Sequence, residues 1–189
     1  MWCLTARRQE EKDRRRAEIV DAAEALYAET GWDAITMDQV ARRARLSRAL
    51  LYVYFKDKGD LHMALVERSL EALHDRFVAA RAGRPNGIAE VEAIGRAYLA
   101  FSMETPHYFD ACARYQAHPA GEHKTDGTPC NETACETAGH SVHAVIVESL
   151  LRGVADGSIR ADIGDAFVTA LTLWAFTHGM IQIASTKRG

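Results

Sequence analysis

Between residues 107 and 143 the chain carries His107, Cys112, His118, His123, Cys130, Cys135, His140 and His143, five of its eight histidines and three of its four cysteines. Thiolates and imidazoles are the ligands that zinc and other borderline metals prefer. In "PCNETACETAGHSVH", residues 129–143, four residues separate Cys130 from Cys135, a spacing found in structural zinc sites, although no second tight pair closes the set. His140 and His143 stand three apart, so a helix would put them on one face. Three readings share these atoms: a metal site drawn from Cys112, Cys130, Cys135, His140 and His143; a thiol switch pairing Cys130 with Cys135, or Cys112 with either; and a polar loop whose cysteines do nothing special. The residue types alone leave all three open.

These side chains need a scaffold to position them. The chain has 189 residues, 48% hydrophobic and 26% charged, with no run of eighteen apolar residues, which predicts a globular protein that does not span a membrane. Behind the basic start "MWCLTARRQEEKDRRR" there is no apolar segment of signal-peptide type, so a cytoplasmic location with reduced cysteines is expected. Four prolines, no strict alternation of apolar and polar residues and a recurrent 3.6-residue period predict an all-α fold.

From Lys12 to about Glu29 the apolar stripe Ile19, Val20, Ala23, Leu26 and Tyr27 defines a first helix, with Gly31 as its stop. Thr36 and Gln39 have the spacing of a capping box, which opens a short helix at Met37 that runs to Ala44. Ser47 then caps "RALLYVYF". Two short helices across a tight turn are a helix-turn-helix, whose second helix enters the DNA major groove. A long helix follows from "KDKGDL", then helices at "IAEVEAIGRAYLAFSM" and "YFDACARYQA" broken at "ETPH", a loop at residues 118–133, and two final helices at "GHSVHAVIVESLLRGVAD" and "DAFVTALTLWAFTHGMIQIASTKR". The last is apolar around most of its circumference, as expected of a helix packed on its own domain on one side and on a second copy on the other.

The net charge of -3 is unevenly spread. Residues 36–58 carry Arg42, Arg43, Arg45, Arg48, Lys56 and Lys58 against only Asp38 and Asp57, a basic patch suited to a polyanion, while all eight histidines lie beyond residue 60. A domain boundary near residue 60 is expected, with a DNA-binding domain at 1–60 and a helical domain at 61–189.

The stretch "TGWDAITMDQVARRARLSRALLYVYFKDKGDL" resembles the TetR family of bacterial transcriptional regulators. The match covers roughly residues 12–61, and the remainder is similar only in being helical and of suitable length. The resemblance implies a homodimer that grips a double-stranded, palindromic DNA operator and is released when the C-terminal domain binds an effector. DNA contacts are then expected from Thr36, Arg45, Ser47, Arg48, Leu50, Tyr52, Tyr54 and Lys58, with Arg48 placed to read guanine, Tyr54 and Lys58 on phosphates, and Leu51 and Phe55 in the core. Arg45 stands where the family turn has glycine, and Ala49 and Leu50 replace its usual small glycine and threonine, so the operator should differ; Leu50 offers methyl groups to a thymine methyl.

Phe101, Met103, Tyr108, Phe109, Tyr115, Trp174, Phe176, His178 and Met180 are the candidates for an effector pocket. The chain contains no "HExxH" helix or phosphate-cradling glycine loop, and no third group positioned beside a Cys-His pair, so no enzyme is expected. The reading is a regulator, by expectation a repressor, released by a small-molecule, metal or thiol-reactive effector. The other reading is a metal-binding or redox-responsive protein built on the Cys/His cluster, with DNA binding secondary.

Overall fold

A computed structural model describes residues 2–116 and 131–186. Helix α1, Trp2–Thr30, starts ten residues earlier than its apolar stripe requires. Its polar first half is held by local pairs, Arg14 to Glu11 at 2.7 Å and Arg15 to Glu18 at 3.0 Å, of the kind that neighbouring positions on a helix surface permit. The second half buries Ile19, Val20, Ala23 and Tyr27. Gly31 ends it at φ 77°, in the left-handed region, and donates its N–H to the Tyr27 carbonyl at 2.9 Å.

A single 3-10 turn, Trp32–Ala34, leads to α2, Met37–Arg43. The capping box forms: the Thr36 hydroxyl accepts from Gln39 N at 3.3 Å, and the Gln39 side chain accepts from Thr36 N at 2.7 Å. Helix α3, Arg48–Tyr54, is capped by Ser47, whose hydroxyl accepts from Leu50 N at 3.2 Å. Helices α4 (Lys58–Arg81), α5 (Gly87–Glu104), α6 (Pro106–Gln116), α7 (Asn131–Asp156) and α8 (Ala166–Thr186) complete the fold. Among the described residues there is no strand.

Helix α4 is the central element, packed against α1, α5, α6 and α7, while α8 lies on α7 and α5. Its buried residues, among them Leu61, Leu65, Leu73 and Phe77, join those of α1–α3 and α5–α8 in one continuous apolar cluster. The start of α5 crosses the end of α7 backbone to backbone: a Cβ at Gly87 would lie 2.1 Å from the Gly153 nitrogen, and Gly87 N donates to Asp156 Oδ2 at 2.8 Å.

One expectation needs correction. Residues 131–133, read as the end of a loop, belong to α7, which begins eight residues before the expected Gly139. The extra turns are stabilised by burial: Cys135 is fully enclosed against α4, its thiol directed at the Met63 carbonyl at 3.1 Å, and Ala138 packs on the core. Helix α8 is also, by length and composition, apolar enough to cross a membrane, with mean hydropathy 1.3 over Ala166–Ser185. Its buried stripe is Ala170, Trp174, His178 and Ile181, and its opposite face exposes Val168, Phe176, Met180 and Ile183.

Candidate functional site

The helix-turn-helix is fixed by its caps and by the turn between them. Arg45 occupies that turn at φ 57°, the only non-glycine residue in the left-handed region among those described. This is the position where the family pattern has glycine, and an L side chain there costs roughly 1–2 kcal/mol. Arg45→Gly should therefore raise stability by about 1 kcal/mol, less than the full strain because glycine also gains entropy in the unfolded chain. Urea denaturation checks this, and a fall in DNA affinity in the same variant would show that the arginine contacts phosphate.

Helix α3 buries Leu51 and partly buries Tyr54, and Phe55 at its end is fully enclosed. Arg48 lies on the outer face, paired with Asp38 of α2 at 3.2 Å and stacked over the Tyr52 ring at 5.6 Å. Leu50 and Tyr52 are exposed, as is Val53, which the sequence reading passed over although its helical position beside Ala49 marks it as outward-facing. Thr36 and Ser47 have their hydroxyls engaged as caps. Lys58, at the start of α4, folds back over Trp32 with Nζ 5.0 Å from the ring centre and 3.4 Å from the Asp33 carbonyl.

Helix α6 joins this part of the molecule to the rest. Tyr27 donates to Asp110 Oδ2 at 2.7 Å, and Arg114 Nε donates to the same oxygen at 2.8 Å. The Arg114 fork closes on both oxygens of Asp33 at 2.9 Å, a bidentate pair that holds the Asp33 carboxyl below the usual range. From the same helix, Phe109 stacks on His178 with centroids 4.7 Å apart.

Beside that stack lies a cavity of about 100 Å³ between α4, α5, α7 and α8, lined by Phe77, Ile94, Tyr98, Ile146, Leu173 and Trp174 among others, none of them charged. Tyr98 and His178 Nδ1 are 2.6 Å apart. The Trp174 ring also stacks on the imidazole, with centroids 5.2 Å apart. Burial holds the His178 imidazole below its ordinary pKa. The unfolded chain then binds a proton below about pH 6.5 that the folded chain resists, so this contribution is present above that pH and lost as pH falls. Stability should decline from pH 7 to pH 5 less steeply in His178→Phe than in the parent, as read from thermal midpoints.

Of the other effector candidates, Phe101 and Phe109 are core residues and Tyr108 stacks on Phe101 at 6.2 Å. Tyr115 is partly buried against the core. Met103, Phe176 and Met180 are exposed and do not line the cavity. Tyr98, unremarked in the sequence because it reads as one more core aromatic, is at the centre of the cluster. A wider open cleft of about 750 Å³ between α4 and α7 is acidic instead, lined by Glu67, Glu71, His74 and Asp75 with small and hydroxyl residues.

The Cys/His candidates among the described residues do not gather at one point. Cys112 and Cys135 are buried, and burial pushes the Cys112 thiol up to about 12, away from the thiolate that metal binding or oxidation requires. His140 and His143 each turn Nδ1 to a carbonyl of their own helix, Glu136 at 2.7 Å and Gly139 at 2.8 Å. Cys130, His118 and His123 lie outside the described residues. Among the described residues no three His, Cys, Asp or Glu side chains converge as a metal site.

A capped helix-turn-helix on a larger helical domain defines a class of DNA-binding regulators, and comparison with known proteins gives the family. Residues 19–65 match the bacterial regulatory proteins of the tetR family, and residues 91–188 match the tetracyclin repressor-like C-terminal domain. The chain belongs to the TetR family and is a transcriptional regulator with a helix-turn-helix for DNA. It is similar to the HTH-type transcriptional regulator TtgR of Pseudomonas putida, 27% identical over 186 residues, covering 95% of this chain and 84% of that protein. To the HTH-type transcriptional activator FasR of Mycolicibacterium smegmatis it is 34% identical over 62 residues, 33% of this chain and only 28% of that protein's length. Among solved structures, a protein of unknown function from Rhodococcus sp. RHA1 superposes with a TM-score of 0.73 at 23% identity, covering 92% of this chain and 83% of the other.

Proposed function

We propose that the protein is a repressor that binds a pseudo-palindromic operator as a homodimer and is released by a small, uncharged organic effector. The observation that carries the DNA reading is α3: a helix locked by caps at its start and by Leu51 and Phe55 beneath, presenting Arg48 and Tyr52 outward. A second copy is the occupant that suits the apolar outer face of α8, since one helix-turn-helix per chain reaches only one half-site.

An organic effector fits the uncharged cavity better than a metal fits the described Cys and His residues, no three of which converge. Coupling would run through α6, because Phe109 faces the His178 stack while its neighbour Asp110, with Arg114, grips Tyr27 and Asp33. An effector that displaces Phe109 strains this latch and so biases the DNA-binding part.

The test begins with selection of bound duplexes from random DNA, followed by sedimentation of the complex. Two chains on one enriched inverted repeat are expected, and a single chain on an asymmetric site would overturn the dimer reading. Titration of that complex with neutral aromatics such as toluene, phenol and indole should release the DNA. The ratio of operator affinities without and with effector, on the order of 5- to 150-fold in coupled proteins, should collapse toward one in Arg114→Ala. If Arg114→Ala leaves the ratio unchanged, α6 is not the route.

A further inference from the structure

The outer surface of α3 is divided lengthwise into two strips of different chemistry. With about 100° of rotation per residue, Arg48 and Tyr52 fall about 40° apart on one strip, while Ala49 and Val53 fall about 40° apart on the next, with Leu50 about 60° beyond Val53. The first strip is polar, the guanidinium of Arg48 lying over the Tyr52 ring and held by Asp38. The second is wholly apolar and open: Val53 is 74% exposed and Leu50 38%, with Leu51 fully buried behind them. Burial does not account for Val53, since the core is filled from the opposite face.

The strip lies on the helix that the family fold presents to DNA, in a segment where six Lys and Arg side chains face two Asp. A major groove lined by donors and acceptors would lose hydration against valine and leucine without compensation, except at one feature, the C5 methyl of thymine.

We infer that Val53, with Leu50 and Ala49, forms a methyl-reading strip that selects thymines next to the base pair read by Arg48. This rests on the DNA-binding reading above. The apolar strip supplies specificity by excluding cytosine, whose edge presents an amino donor and no methyl, whereas Arg48 selects by hydrogen bonds. The two recognition modes are adjacent on one helix, so the guanine and the thymines are close neighbours within each half-site.

The test uses the full-length protein and the duplex enriched from random DNA. Each thymine of a half-site is replaced singly by deoxyuridine, which removes the methyl and leaves every hydrogen-bonding group in place. Loss of one buried methyl contact should weaken binding about fourfold, and the sensitive positions should lie beside the guanine protected by Arg48. Val53→Ser should bind the thymine and uridine duplexes alike, while Val53→Ile should keep the preference; the position is exposed, so both variants leave the core intact. Deoxyuridine at every thymine changing affinity by less than about twofold would overturn the strip, as would a preference that survives Val53→Ser and Leu50→Ser together. Failure of the underlying reading looks different: no sequence is enriched and no duplex is bound.

Discussion

Glutamates at Phe176 and Met180 are expected to leave the protein monomeric and to weaken operator binding by at least about a hundredfold. The two side chains are 70% and 54% exposed on the face of α8 opposite its buried stripe, in line with Val168 and Ile183. An apolar stripe of four such residues left in water is unfavourable by about 25 cal/mol for each Å² that a partner would cover. A carboxylate in the middle of the covered patch must instead be desolvated without a partner, at a cost of several kcal/mol. DNA affinity is lost by a separate route. In a dimer the second recognition helix binds at a high effective concentration once the first is docked, which multiplies affinity by about 10² to 10⁴, and a monomer forfeits this. Sedimentation velocity at micromolar concentration checks the first half, and anisotropy on the selected operator the second. A variant that remains dimeric would place the contact elsewhere. One that is monomeric yet binds the operator undiminished would show that dimerisation is not what gives affinity.

Arg48→Ala is expected to lose about 1–3 kcal/mol of discrimination between operator and random duplex, whereas Lys58→Ala weakens both alike and lowers the salt slope by about one. In the free protein Arg48 is held by Asp38 at 3.2 Å, but both groups are well exposed, and such pairs contribute only about 0–1 kcal/mol. A bidentate guanine contact outweighs that, so the pair opens on the correct sequence and stays closed over a base that offers no two acceptors. Asp38→Asn should accordingly raise affinity for random DNA more than for the operator. The guanidinium charge and the carboxylate cancel along the groove only while the pair is intact. Lys58 has no base-reading geometry, with its ammonium lodged against Trp32 and the Asp33 carbonyl at the edge of the domain. Titrations at several salt concentrations separate the two behaviours. Equal losses on operator and random DNA in both variants would remove Arg48 from base reading.

The features legible in the sequence were those set within a few residues. The Thr36–Gln39 box, the Ser47 cap, the Gly31 stop and the anomalous Arg45 turn all depend on hydrogen bonds or backbone angles that a short segment determines by itself, and each is found in the structure. The largely apolar circumference of α8 was equally readable, since it belongs to the residues of one helix. What tertiary structure decided were matters of partnership. Residues 131–138 are helical because α4 encloses Cys135, a contact across 72 positions. Tyr98 and His178, 80 positions apart, become a hydrogen-bonded pair beside a cavity, and Arg114 reaches Asp33 across 81. The density of Cys and His that suggested a metal site is a property of composition, and of its described members the packing turns His140 and His143 to carbonyls of their own helix and encloses Cys112 and Cys135 in the core. Val53 shows the limit from the other side: its helical position beside Ala49 marks it as outward-facing, but only the packing of Leu51 and Phe55 beneath shows how fully it is left open. Local signals specify elements through interactions of short range, while a site is made by residues that only packing brings together.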